Sequence, residues 1–202
     1  MALTFSWIAV VIILVTSVGL LIIRDWRWSI IFLAVQYFSM FILTLQHWPL
    51  GMAAVKLVAG WMSAAILGMT RSNFPAQDFE ETGIWPRGRL FRLFAAAMVL
   101  LIVAAVTPNV DTIMADAGYA VTGGGLLLIG MGVLHLGITS HILRVIIGLM
   151  TVLSGFEILY SAVEGSILVA ALLAVINLGL ALVGAYLLTA ENAPEEREAG
   201  LE

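Results

Sequence analysis

Residues 143–163 read LRVIIGLMTVLSGFEILYSAV, and after Glu164-Gly165 the chain continues at 166–189 as SILVAALLAVINLGLALVGAYLLT. Each stretch meets the ~20 mostly apolar residues that a helix needs to cross the hydrocarbon core of a bilayer. Only Glu164 and Gly165 separate them, so the two are expected to form an antiparallel helical hairpin. One carboxylate, Glu157, stands deep inside the first stretch. An ionisable group at bilayer depth costs about 2.5–3.5 kcal/mol on insertion scales, which makes it a functional candidate by default.

Working outward, five more stretches of the same kind cover residues 4–23, 27–45, 50–70, 90–107 and 120–137. They are continuously apolar rather than alternating, which favours helices over a barrel. The expected fold is an all-α integral membrane protein, a bundle of about seven transmembrane helices. Arg24-Asp25-Trp26-Arg27 and Gln46-His47-Trp48-Pro49 break the first three spans. Pro108-Asn109 is expected to end the fourth, because proline lacks the N–H that a helix interior uses. The chain divides into a three-helix membrane segment (1–71), a cytoplasmic loop (72–89), a fourth span with an outer loop (90–118), a second three-helix segment (119–190) and an acidic cytoplasmic tail (191–202).

The composition agrees. Of 202 residues, 62% are hydrophobic and 11% charged, against roughly 45–50% apolar and about 25% charged in soluble domains. That excludes a soluble enzyme, a nucleic-acid binder and a disordered chain. There is no cysteine, which excludes disulfides, thiolate zinc sites, cysteine nucleophiles and Cys-ligated iron–sulfur clusters. No phosphate loop, nucleophile–base pair, zinc motif or dinucleotide fingerprint is present. The chain reads as having no catalytic site, no cofactor and no metal of its own.

The basic residues are placed unevenly. Arg24 and Arg27 fall in the first loop, Arg71, Arg87, Arg89 and Arg92 in or beside the third, Arg144 beside the fifth, and Arg197 in the tail. With seven spans these all lie on one side, and the opposite loops carry only Asp111, Asp116 and Glu164. The positive-inside rule then puts the N-terminus outside and the C-terminus in the cytoplasm, in a multi-pass protein of the cell's inner (plasma) membrane. The first span lacks a basic leader and a small-residue cleavage site, so it reads as a retained helix. Residues 72–88, with Phe74, Phe79 and Trp85, read as a solvated connector or as a docking strip for a partner. The tail from Glu191 reads as disordered. Trp26, Trp28 and Trp48 read as interfacial anchors.

Few polar groups remain at membrane depth. Residues three and four apart share a helix face, so Ser154, Glu157, Ser161 and Glu164 form one polar stripe on the sixth span. Such a stripe belongs against other helices or trapped water rather than lipid. Glu157 is either a step in a proton path or a buried acid hydrogen-bonding neighbouring helices. Lys56 lies six residues into its span, about 9 Å from the outer end at ~1.5 Å per residue. It either snorkels to the surface or pairs with an intramembrane acid such as Glu157. His135 shares a face with Gly132 and Thr139 and is either a packing residue or a path member. His47 and His141 sit at the ends of different helices, so no metal or haem set forms. Gln36 and Asn177 read as interhelical hydrogen-bonding groups, and the glycines as sites of close helix approach.

The last third of the chain, residues 126–188, resembles the small three-helix K subunit of respiratory complex I and the matching C subunit of multisubunit Na+/H+ antiporters. The likeness lies in an apolar helix, a short turn with Arg144, then Ile146-Ile147-Gly148-Leu149, Gly155-Phe156-Glu157-Ile158-Leu159 and Asn177-Leu178-Gly179-Leu180-Ala181-Leu182. The family's motif glutamate maps onto Glu157. Its second glutamate does not map, because Ala174-Val175-Ile176 stands there without an acid. In length and in its extra N-terminal helices the chain is similar to the membrane E subunits of hydrogenase-4 and formate-hydrogenlyase-type complexes. There Ala54-Val55-Lys56-Leu57-Val58 resembles a lysine-bearing helix. The resemblance implies a non-catalytic membrane subunit beside antiporter-like subunits, with Glu157 on a proton or cation path. Lys56, His135 and Glu164 are its further candidate members. Redox cofactors would belong to partner subunits. A structural scaffold of another energy-converting membrane complex and an independent small transporter remain open. The latter expects inverted repeats, and the two halves of the chain show no convincing one.

Overall fold

A computed structural model describes residues 2–23, 25–74, 88–114 and 117–192. Helices α1 (Ala2–Ile22), α2 (Trp26–Thr44), α3 (Leu50–Ser72), α4 (Arg89–Ile113), α5 (Tyr119–Gly137), α6 (Ile142–Val163) and α7 (Ile167–Glu191) make up almost all of it. All seven are long and apolar enough to cross a membrane, and no strand occurs among the described residues. The chain is therefore a multi-pass membrane protein by length and composition. Most of residues 72–89 and nearly all of the 191–202 tail, with Phe79, Trp85, Arg87 and Arg197, lie outside the described residues.

Local chemistry sets several boundaries. Asp25 caps α2 by accepting a hydrogen bond from the Arg27 backbone N–H at 2.9 Å, which satisfies one of the orphan donors of the first turn. Pro49 precedes α3, where its missing N–H is not needed. Gly118 enters α5 at φ 89°, a conformation that glycine adopts without a steric penalty.

The fourth span departs from expectation. Pro108 does not end α4, which runs on to Ile113. Stopping a helix in water lets solvent take up the freed groups. In lipid the backbone must be satisfied internally, so helices tolerate proline there. Side chains support the continuation: Thr107 Oγ1 donates to Val103 O at 2.6 Å, and Asp111 Oδ1 in the added turn accepts from Thr122 Oγ1 of α5 at 2.9 Å.

The core holds Leu33, Leu43, Leu67, Leu128, Met150 and Ile158, all fully buried. Phe5, Val11, Leu101, Leu168 and Tyr186 face outward, as a lipid-facing surface requires. Helix α2 is central and packs on α1, α3, α5 and α6. Helices α2, α3, α7 and α6 form a closed ring of neighbours, with α3 and α6 on one diagonal and α2 and α7 on the other.

The tightest pairing is the α5–α6 hairpin. Gly125 and Gly132 of α5 meet Gly155 and Gly148 of α6 nearly backbone to backbone, the close approach that small residues permit in membranes. A Cβ on Gly155 would lie 2.6 Å from Gly125 O and 2.8 Å from Ile129 N. Backbone atoms cannot swing aside as a side chain would. Gly155→Ala is expected to destabilise the fold by about 1–3 kcal/mol, the usual cost of overpacking. Thermal unfolding in mild detergent checks this, and an unchanged midpoint would contradict the packing.

The two ends of the bundle differ chemically. At one end the last carbonyls of α1, which lack intrahelical partners, accept from two arginines. Arg92 Nη1 donates to Leu21 O at 2.8 Å, and Arg144 Nη2 to Leu20 O at 2.9 Å. Cations are favoured at a helix C-terminus by its dipole. Arg71 is buried at this end as well. Arg71, Arg92 and Arg144 are thus built into the packing, where the sequence suggested charges in or beside loops.

At the opposite end Trp48 joins the α2–α3 turn to the α6–α7 turn. Its Nε1 donates to Glu164 O at 3.0 Å, and its ring meets Tyr160 edge-on with centroids 6.4 Å apart. Trp48 is 3% exposed, so it is a packing residue rather than the interfacial anchor expected of it. Nearby, His47 Nε2 lies 3.0 Å from Ala117 O.

Candidate functional site

The site is built inside the ring of α2, α3, α7 and α6. On α3, Lys56, Gly60 and Ser63 recur at the spacing of one helix face, and Ser63 and Lys56 are fully buried. On α6, Thr151, Ser154, Glu157 and Ser161 line the facing stripe, all buried. Lys56 Nζ donates to Glu157 Oε1 at 2.6 Å, with the side chains 1% and 0% exposed. Of the two sequence readings for Lys56, the structure therefore shows pairing with Glu157 and not snorkelling.

This ion pair spans the α3–α6 diagonal, whose helices are not direct neighbours. The long lysine stem is what lets the two charges meet. The other diagonal is also bridged by a polar bond: Tyr37 Oη of α2 donates to Asn177 Oδ1 of α7 at 2.7 Å. The Tyr37 hydroxyl also approaches Ser154 and Glu157. Its ring lies against Gly60, where a Cβ would overlap it. Gly60 is thus the gap that admits Tyr37 to the centre. Tyr37 was not among the sequence candidates. Its only sequence signal was a hydroxyl-bearing aromatic in mid-span beside Gln36, since a buried tyrosine normally finds a partner.

A second polar layer adjoins the first. Gln36 Nε2 donates to Ser17 Oγ of α1 at 2.9 Å, and Thr151 Oγ1 of α6 shares its one proton between Ile147 O at 2.8 Å and Gln36 Oε1 at 3.3 Å. Gln36 and Asn177 do make interhelical hydrogen bonds, as expected of them.

The remaining candidates stand apart from the pair. His135 is buried on α5, with Cδ2 next to Gly148 and the ring near Arg144 and Arg92. Gly148 precedes Glu157 by nine residues, about 14 Å along α6. The His135 ring approaches the Arg144 backbone without reaching hydrogen-bond geometry, and both its nitrogens lack a partner. Glu164 is the exposed C-cap residue of α6, and its Oε1 accepts from the Gly165 N–H at 3.1 Å. Ser154 and Ser161 turn back on their own helix, donating to Met150 O at 2.8 Å and Ile158 O at 2.7 Å. No three metal-ligating side chains converge among the described residues.

Lys56–Glu157 is the only ion pair found among the described residues. A buried pair is weak evidence for stability, because desolvating two charges offsets most of their attraction. Glu157 Oε2, Asn177 Nδ2 and Ser63 Oγ are buried there without a partner in the chain. Polar atoms in such a state point to a site that does more than pack. Removing the Tyr37 hydroxyl tests the second diagonal. Tyr37→Phe is expected to destabilise the fold by about 1–3 kcal/mol, since it strands a buried acceptor on Asn177. Unfolding in detergent reads this out, and a loss below measurement error would contradict it.

A scan against protein-family models and searches of curated proteins and solved structures found no match to the chain. Fold and site together define a membrane protein with seven spanning-length helices among the described residues and a buried lysine–glutamate pair inside a four-helix ring.

Proposed function

We propose that the chain is a non-catalytic subunit of a multisubunit, complex-I-like or group 4 hydrogenase-like membrane assembly, and that Glu157 carries protons or small cations within it. The observation that carries this reading is the fully buried Lys56–Glu157 pair. An intramembrane acid and base in contact can exchange a proton by small movements, and intramembrane ionisable residues commonly mark ion or proton pathways. The resemblance of residues 126–188 to K-type and antiporter C-type subunits supports the same residue. The partners are antiporter-like membrane subunits, and redox chemistry belongs to them. In this reading the arginine-rich end faces the cytoplasm of an inner (plasma) membrane, following the positive-inside rule.

His135 and Glu164 lie on opposite sides of the pair along α6, so they are at most flanking members of the path. Two experiments test the proposal. Extraction in mild detergent should copurify large antiporter-like chains. In vesicles holding that assembly, Glu157→Gln should lower proton or cation uptake without changing the subunit pattern. Normal uptake by the variant would reject the path and leave a scaffold subunit whose glutamate ties α6 to α3.

A further inference from the structure

The buried polar groups are ordered by height along α6. From the arginine end they run as Arg144 with Arg92, then His135 at the level of Gly148, then Thr151 with Gln36 and Ser17. Ser154 with Tyr37 and Asn177 follows, and then Glu157 with Lys56. Glu157 lies thirteen residues beyond Arg144, about 20 Å at ~1.5 Å per residue. Polar side chains from all seven helices thus mark each turn of that distance.

Beyond the pair the buried hydroxyls of Thr44, Thr107 and Thr122 are already satisfied, by Phe41 O, Val103 O and Asp111 Oδ1. Ser161 is the one further buried member of the stripe, and its hydroxyl is satisfied by Ile158 O. Trp48, hydrogen-bonded to Glu164 O and packed on Tyr160, covers that end. The atoms without a partner are placed on the same asymmetry. Glu157 Oε2 is at the pair, and Asn177 Nδ2, Ser63 Oγ and both His135 ring nitrogens lie towards the arginine end. Buried polar atoms almost always have a partner in protein or ordered water, and buried waters occupy polar sites of this kind. Successive levels are also about 4.5 Å apart along the helix, more than one hydrogen bond spans.

We infer that this column is a hydrated, one-sided access route joining the arginine end to Glu157, and that the Trp48 end is closed. The inference rests on Glu157 being the transfer site and adds the side from which it is served. Gln36 is then a positioning residue: it bridges Ser17 and Thr151 and holds α1, α2 and α6 around the route.

The chain contains no cysteine, so single cysteines report access without background. Thr151→Cys and Ser154→Cys sample the column, Ser161→Cys the closed side, and Leu128→Cys the dry core. Each is placed in the full chain in sealed vesicles of known orientation. A small, charged, membrane-impermeant methanethiosulfonate reagent is then added to one side at a time. Cysteines at 151 and 154 should react from the arginine-bearing side only, at least about tenfold faster than at 128, as a hydrated site would. The cysteine at 161 should react from neither side. Reaction at 151 and 154 from the Trp48 side, or no faster than at 128, would overturn the inference.

Gln36→Leu gives a second reading, whose ion-uptake arm does not depend on the new cysteines folding well. It should slow labelling at 154 and lower ion uptake while the Lys56–Glu157 coupling stays intact. Unchanged labelling and uptake would count against the route. The two proposals fail separately. Sided labelling with normal uptake by Glu157→Gln leaves the column and removes the transfer role. Absent labelling with abolished uptake does the reverse.

Discussion

Lys56→Met is expected to destabilise the folded chain by roughly 3–5 kcal/mol, the usual result of removing one partner from a buried pair. Methionine matches the lysine stem in length, so little packing is lost. What remains is Glu157, fully buried and with neither carboxylate oxygen paired. The double variant Lys56→Met/Glu157→Leu should recover most of the loss, because an apolar pair of similar volume can replace a buried ion pair at little or no cost. Unfolding of the four members of this cycle in one detergent gives the coupling directly. A single-variant loss below about 1 kcal/mol, the level of an exposed pair, would mean that the charges are screened by water and are not packed together.

The second large effect follows from the proposed transport role. Glu157→Gln keeps the shape of the side chain and an oxygen that can accept from Lys56 Nζ, but it cannot take up a proton. Ion uptake by the assembly is expected to fall about tenfold or more, a change of at least ~1.4 kcal/mol in barrier. Glu157→Asp, which keeps the acid on a shorter stem, should retain more uptake than Glu157→Gln. A scaffold role predicts another order: Gln tolerated, and Asp no better than Gln. Subunit composition after purification must be the same in all variants for the comparison to hold.

Much of the fold was legible because bilayer thickness sets a length that apolar runs either reach or miss. Seven runs reached it, and all seven are helices. The Glu164-Gly165 gap likewise left little alternative to a hairpin. Pro108 misled because the rule that proline ends a helix is calibrated on water, where freed carbonyls are solvated. The arginines were read by the side they mark, and nothing in their spacing showed that Arg92 and Arg144 reach the last carbonyls of α1.

The site was half legible. Glu157 and Lys56 stood out because charge is rare at that depth. Their pairing joins positions 101 residues apart on helices that are not neighbours. It became visible only when α2 and α7 set the width of the ring. Tyr37 was invisible for a related reason: an aromatic in a membrane span is ordinarily packing. Only Gly60 on another helix opens the space that makes it a central hydrogen-bond donor.

The central claim, in its proton form, is that Glu157 itself takes up and releases a proton during turnover. Infrared difference spectra of the reconstituted assembly, resting against working, test it most directly. The account predicts a protonated-carboxyl band that appears or disappears with turnover, shifts in deuterated water and is missing in Glu157→Gln. A carboxyl signal identical at rest and at work, or a changing band that survives in Glu157→Gln, would contradict it.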